Sequence, residues 1–277
     1  MSRRMMYQIY KRFFPNWIKN PLERSILELE RFHPAKVVER PPGDRVLVLA
    51  PHPDDETVGC GGTLRKYVNS GIRVKVVVMT DGRQGNAEIR RLPEDDPVRR
   101  QMEDELVAQR RGEAFAALDA LGVEEKEFLD ARDGELRASM SVIAPKLART
   151  LSQWRPDAVL LPFVTDRHRD HFAANCCFIE AIEQLNATWT RALQCVAYEI
   201  WSPIYANVYV DISATMPFKR NALNCYRSQI SQMDFAGGME GLNRFRAVCG
   251  MVGGEYAEAF FVAPLPTYQR IYRSLLL

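Results

Sequence analysis

The stretch RVLVLAPHPDDETVGCGG, Arg45–Gly62, decides the fold. After Arg45 come five unbroken apolar residues, Val46–Ala50, the pattern of a strand buried on both faces of a parallel sheet. Directly behind it stand His52, Asp54, Asp55 and Glu56, four titratable groups within five positions. A turn needs one or two polar residues, and two adjacent carboxylates repel one another. Such crowding at the mouth of a buried strand points to a bound cation.

Working outward, Thr57–Asn69 reads as a helix closed by Asn69-Ser70-Gly71, and Arg73–Thr80 (RVKVVVMT) as a second strand rich in β-branched residues. A long helix follows the DGRQGN loop, with Val98, Met102, Leu106, Phe115, Leu118 and Leu121 mostly spaced by threes and fours and Gly122 as its C-cap. KEFLD is a short strand, Ser139–Trp154 a helix containing Pro145, and Asp157–Phe163 (DAVLLPF) another apolar strand. A helix over His171–Leu185 and two late strands, LQCVAYEI and NVYVDIS, complete the pattern. Strand–helix alternation at this pace predicts an α/β fold: a Rossmann-like, doubly wound, mostly parallel sheet with helices on both faces. The turn-rich ERPPGDR segment suggests one domain over 45–277, preceded by an N-terminal extension and linker over 1–44.

Composition narrows the class. With 277 residues, 47% hydrophobic and 26% charged, a sizeable core is affordable, and a net charge of +2 makes no field for nucleic acid. The six cysteines, Cys60, Cys176, Cys177, Cys195, Cys225 and Cys249, contain no C-x-x-C pair, so neither a disulfide scaffold nor a cysteine zinc finger is expected. Buried thiols fit a reducing cytoplasm. No secretory h-region or bilayer-length window is present. The first twenty residues mix Arg3, Arg4, Lys11, Arg12 and Lys19 with Tyr7, Tyr10, Phe13, Phe14 and Trp17. Two readings stand: peripheral contact with a membrane surface, or packing on the domain or on a second copy in a homo-oligomer.

A second charged cluster, HRDH over His168–His171, follows the DAVLLPF strand. In a parallel sheet both clusters fall at the carboxyl edge, where ligands bind. Together they hold three of the four histidines of the chain; the fourth, His33, precedes the domain. A mixed His/Asp set suits a borderline divalent ion with three protein ligands and one open position. Since Asp54 and Asp55 are neighbours, one can bind the ion while the other takes a proton from the attacking water.

APHPDDETVGCGG resembles the signature of the PIG-L/LmbE-like zinc-dependent N-deacetylases, and HRDH resembles that family's second His-x-Asp-His element. TDG after the second strand, RRGEAFAALDALGV, DGEL and a late YAEAF extend the likeness from Val46 to the C-terminus. The resemblance implies one Zn²⁺ on His52, Asp55 and His171, with Asp54 as general base. It implies that His168 donates to the oxyanion or passes a proton to the leaving amine. Asp170 would orient a ligand or His168, Glu56 would support the loop, and Arg110 and Glu113 match an Arg-x-x-Glu pair of structural or substrate role. The implied activity is removal of the acetyl group from an N-acetylated, GlcNAc-type amino sugar within a glycan, glycolipid or glycoconjugate. One departure stands out: Arg169 replaces a frequent proline, and its charge could face an anionic substrate.

Competing readings are specific. Asp55 or Thr57 could cap a helix, but capping employs one side chain rather than four. GCGG lacks the last glycine of a dinucleotide fingerprint and follows an acidic loop that would repel a pyrophosphate, so close helix–sheet packing is the better reading. Cys60 could add a fourth ligand, Arg83 could contact substrate, and the aromatic run YEIWSPIYANVYV could stack on a sugar or simply fill strands. The rival activities are cleavage of a non-acetyl amide of a sugar or thiol conjugate, a metal-dependent phosphoesterase with a second metal, and a silent binding protein.

Overall fold

The computed structural model describes residues 35–276, so the basic, aromatic N-terminal segment lies outside the described residues. The strands are β1 (Lys36–Val38), β2 (Arg45–Ala50), β3 (Arg73–Thr80), β4 (Glu125–Ala131), β5 (Ala158–Pro162), β6 (Gln194–Tyr198), β7 (Val208–Asp211) and β8 (Ala257–Pro264). The helices are α1 (Asp55–Asn69), α2 (Ala87–Arg91), α3 (Pro97–Leu121), α4 (Met140–Trp154), α5 (Arg169–Leu185), α6 (Met216–Leu223), α7 (Arg227–Ile230), α8 (Phe235–Gly250) and α9 (Leu265–Ser274).

One eight-stranded sheet runs in the order β1-β7-β8-β6-β5-β2-β3-β4. All neighbours pair in parallel except β8, which is antiparallel to both β6 and β7. The expected α/β class holds. The sheet starts earlier than the expected boundary at 45: Lys36–Val38 pair with Val208–Val210. From β2 the chain winds outward through β3 to β4, then returns to place β5 on the other flank of β2. The strand order therefore reverses between β2 and β5, which opens a crevice at their carboxyl ends.

Alternate residues of each strand feed two cores. Leu47, Leu49, Val77, Met79, Val159 and Leu161 pack with α4, α5 and α9, whereas Val46, Val48, Val76, Val78 and Leu160 pack with α1, α3 and α6. Helix α1 lies close on the sheet because of two glycines. A Cβ on Gly59 would meet the Tyr198 ring at 2.2 Å, and one on Gly62 would meet Ile212 at 2.8 Å. Helix α3 ends at Gly122, which adopts a left-handed φ of 79° as its C-cap.

Candidate metal and substrate site

The two charged loops meet at the crevice. After β2 the chain turns back on itself so that the Asp55 carboxylate accepts the His52 backbone N–H at 2.8 Å. The same Oδ2 lies 3.0 Å from His52 Nδ1 and 3.2 Å from His171 Nε2. The two imidazole nitrogens are 3.3 Å apart. Three donor atoms from two loops thus share one point, as ligands held about 2 Å from a common centre do. Burial disfavours charge on His52 and His171, yet the facing carboxylates override it. They raise both rings above the ordinary histidine range, His171 to about 9, while the two imidazoles hold Asp55 well down.

Each imidazole has a carboxylate behind it. His171 Nδ1 lies 3.1 Å from Asp166 Oδ1, off-line for a hydrogen bond. His52 Nε2 lies 3.2 Å from Asp133 Oδ1 and 3.5 Å from Asp170 Oδ2. Such partners fix ring orientation and tautomer in metal sites. Two overlapping groups have ligand atoms within 4.8 Å of one another, the three histidines His52-His168-His171 and the mixed set His52-Asp133-Asp170. Both use His52, and in the second Asp133 and Asp170 also accept the backbone N–H groups of Gln84 and Gly134.

Asp54 faces the pocket from a strained backbone, φ 134° and ψ −26°, rarely adopted by a residue other than glycine. It occupies the N-cap position of α1 but caps nothing with its side chain. Arg110 holds it instead: Nη2 donates to Asp54 Oδ2 at 2.9 Å and to the Pro53 carbonyl at 2.7 Å, and Nη1 to the Gly82 carbonyl at 2.8 Å. Burial pushes the Asp54 carboxyl up to about 7, against the pull of Arg110. Glu56, fully buried, accepts from Thr57 Oγ1 at 2.7 Å, Tyr226 OH at 2.5 Å and the Asp54 N–H at 3.3 Å, a loop-supporting role.

His168 is the N-cap of α5, where its Nδ1 accepts the Asp170 N–H at 3.2 Å. Burial and the two neighbouring imidazoles lower its pKa. The neutral ring therefore carries its proton on Nε2. The first HRDH residue is thus a cap as well as a lining residue, and Asp170, expected to orient a ligand or His168, lies 3.5 Å from His52 Nε2 and donates its backbone N–H to His168 Nδ1.

Other expected residues stand elsewhere. Arg83 is tied to Asp81 at 2.8 Å and to Glu103 at 3.3 Å, and Glu113 accepts from the Ser228 N–H and hydroxyl, pinning α7. Cys60 donates its thiol to the Glu56 carbonyl and points into the core. Arg169 lies over Gly134. None of these four lines the cavity.

That cavity, about 340 Å³, is floored by His52, Asp54, Asp55, Asp133 and His168 and walled by Trp201, Met233 and Phe235. The aromatic run divides: Tyr198 and Tyr209 are core, and Trp201 turns to the cavity. Asp133, Asp166 and the α7–α8 segment are the residues that sequence reasoning did not single out. Asp133 lies in the DGEL element and Asp166 just past β5, positions where a polar residue at a strand's carboxyl end was the available signal.

The described helices include none long and apolar enough to cross a membrane. Residues 47–182 match the GlcNAc-PI de-N-acetylase (PIG-L) family. Diacetylchitobiose deacetylase of Thermococcus kodakarensis is 30% identical over 203 residues, 68% of this chain and 71% of that protein. A 1D-myo-inositol 2-acetamido-2-deoxy-alpha-D-glucopyranoside deacetylase of Geodermatophilus obscurus is 34% identical over 42% of this chain and 38% of its own length. The solved structure of N,N'-diacetylchitobiose deacetylase from Pyrococcus horikoshii superposes with a TM-score of 0.67 at 28% identity, covering 82% of this chain and 86% of that one. A 4-carboxy-2-hydroxymuconate hydratase from a pseudomonad shares the fold at 22% identity and a TM-score of 0.65, so fold alone does not settle the chemistry. By the family match and the extent of the first relative, the chain belongs to the GlcNAc-PI de-N-acetylase (PIG-L) family.

Proposed function

We propose that this protein is a zinc-dependent hydrolase that removes the acetyl group from an N-acetylated, GlcNAc-type amino sugar. The observation that carries the reading is the meeting of His52 Nδ1, Asp55 Oδ2 and His171 Nε2 beside Asp54 and His168 in one open cavity. Two nitrogens and one carboxylate oxygen fit a borderline divalent ion, for which zinc is the ordinary choice. A bound ion would supply Lewis acidity to the acetyl carbonyl and lower the pKa of water.

The chain's own groups do the rest. Asp54, held by Arg110 and with its pKa lifted by burial, takes the proton of the attacking water. His168 presents Nε2–H to the oxygen that becomes negative as the carbonyl carbon turns tetrahedral. The proton held on Asp54 then passes to the departing sugar nitrogen as the C–N bond breaks, so that acetic acid and the amine leave, ionising to acetate and an ammonium group, and the carboxylate is restored. Asp166 and Asp133 keep the two imidazoles in their orientations throughout. The named activities of the relatives, deacetylation of diacetylchitobiose and of a GlcNAc-inositol, support the substrate class.

Acetate release measured over a panel of N-acetylated sugars, on protein whose metal content is quantified in the same sample, tests this. Activity that tracks one zinc per chain upholds it. Two metals per chain with phosphoester cleavage, or acyl release only from non-acetyl amides, would replace it.

A further inference from the structure

Trp201 is 41% exposed, yet it lines the cavity and meets Phe235 edge to face, ring centres 5.3 Å apart at 89°. Met233, half exposed, continues the same wall. A large aromatic left open to solvent on a loop needs a reason, and here the loop is built to hold it. The backbone N–H groups of Trp201 and Ser202 donate to Asp166 Oδ2 at 2.9 and 3.2 Å. The other oxygen of that carboxylate accepts the His168 N–H at 3.0 Å and faces His171 Nδ1 at 3.1 Å. At the far end of the loop, buried Arg246 donates to Glu199 Oε1 at 2.8 Å and to the Ile204 carbonyl at 2.9 Å, while Glu199 Oε2 accepts the Ile204 N–H at 2.9 Å. One carboxylate therefore ties the loop that carries His168 to the loop that carries Trp201.

The rim is not simply apolar. The side-chain amides of Gln84 and Gln232 bond to no other described residue and border the cavity together with Arg90. A rigid indole beside free amides and a guanidinium suits a pyranose, which offers an apolar C–H face and a hydroxyl-bearing edge. An alkyl chain would use the indole and waste the amides.

We infer that Trp201 stacks on the sugar ring next to the one that carries the amide, and so selects two-ring substrates over a lone amino sugar. This rests on the deacetylase reading above. The test compares N-acetylglucosamine, its octyl glycoside and N,N'-diacetylchitobiose on the zinc-loaded enzyme and on its Trp201→Ala and Trp201→Phe variants. The kcat/KM ratio of two rings to one is expected to fall about five- to tenfold in Trp201→Ala, mainly through KM, and to recover largely in Trp201→Phe. An unchanged ratio overturns the inference, as does a Trp201-dependent gain from the octyl chain equal to that from the second ring. Should no sugar release acetate, the activity reading fails and binding decides the subsite separately. Saturable quenching of tryptophan emission by the disaccharide, lost in Trp201→Ala, upholds the subsite; quenching that is absent, or that survives the substitution, overturns it.

Discussion

The loops after β2 and after β5 contribute to the same point by opposite means. The second is relaxed: His168 has an ordinary φ of −79°, caps α5 with its own ring nitrogen, and is held by the nearby Asp166. The first is strained: Asp54 sits at φ 134°, caps nothing, and is held from α3 by Arg110, 56 residues away in sequence. A loop that serves as a helix cap draws its geometry from local hydrogen bonds, which it would make in any case. A loop that must turn two adjacent carboxylates to different tasks needs an external clamp, and it stores strain that the surrounding fold sustains.

The largest effects should come from the point the loops share. His52→Ala and His171→Ala each remove one donor of three, and both variants are expected to lose the metal and essentially all turnover. Metal analysis after gel filtration reads this directly. Retention of a full zinc equivalent in either variant would break the shared-point assignment.

Next in size are the two groups to which the proposed mechanism gives proton transfer and oxyanion binding, one from each loop. Asp54→Ala should keep its zinc and lose about 10²–10⁴ in kcat, the range for a general base. His168→Ala should keep its zinc and lose about 10²–10³, the range for one oxyanion donor. Since His168 is also within reach of the other imidazoles, loss of metal in His168→Ala would instead make it a ligand.

The clamps separate the loops further. Asp166→Asn acts on the proposed ligand His171, so the expected loss is about 10- to 100-fold in metal affinity, read by chelator competition. Arg110→Met acts on the base, and zinc affinity should change little. Because the guanidinium lowers the Asp54 pKa and burial raises it, removing Arg110 raises it further. The base is then protonated up to a higher pH, and the acidic limb of the kcat profile should move upward. A limb that stays in place, or one that moves down, counts against Asp54 as the base.

The same contrast governs what the sequence made legible. β2 and β5 are unbroken apolar runs whose charged ends announce the sheet edge, so both loops could be paired from topology. Gly122 and the existence of α3 were equally readable, but half of its expected apolar face, Val98, Met102 and Phe115, is exposed, and Arg99, Glu103, Arg110 and Glu113 are buried in their place. β1 is a three-residue edge strand, too short to carry a pattern. β8 carries Glu258 in an otherwise apolar run; that carboxylate is buried against Lys219 at 2.7 Å and accepts two N–H bonds from α1, a compensation visible only in three dimensions. Asp133 and Asp166 look like turn residues until the imidazoles in front of them are placed. Trp201 faces the cavity through backbone clamps at Asp166 and Glu199, and no periodicity encodes such clamps. For Arg83 and Glu113 the sequence left substrate and structural roles open, and their partners here are internal.

The smallest prediction isolates the strain itself. Asp54 and His168 are both N-cap positions, where glycine is ordinarily preferred to alanine. That general preference should appear at both sites and cancel between them. At Asp54 alone, φ 134° adds a penalty for any Cβ, of order 1–3 kcal/mol for such a conformation. Measured by urea unfolding of the metal-free proteins, the stability of Asp54→Gly should exceed that of Asp54→Ala by about 1 kcal/mol more than His168→Gly exceeds His168→Ala. Both members of each pair lack the original side chain, so lost ion pairs and relieved carboxylate repulsion drop out of the difference. Equal gaps would mean that the first loop relaxes once its side chain is gone. The strain would then belong to the Asp54–Arg110 contact rather than to the backbone path between β2 and α1.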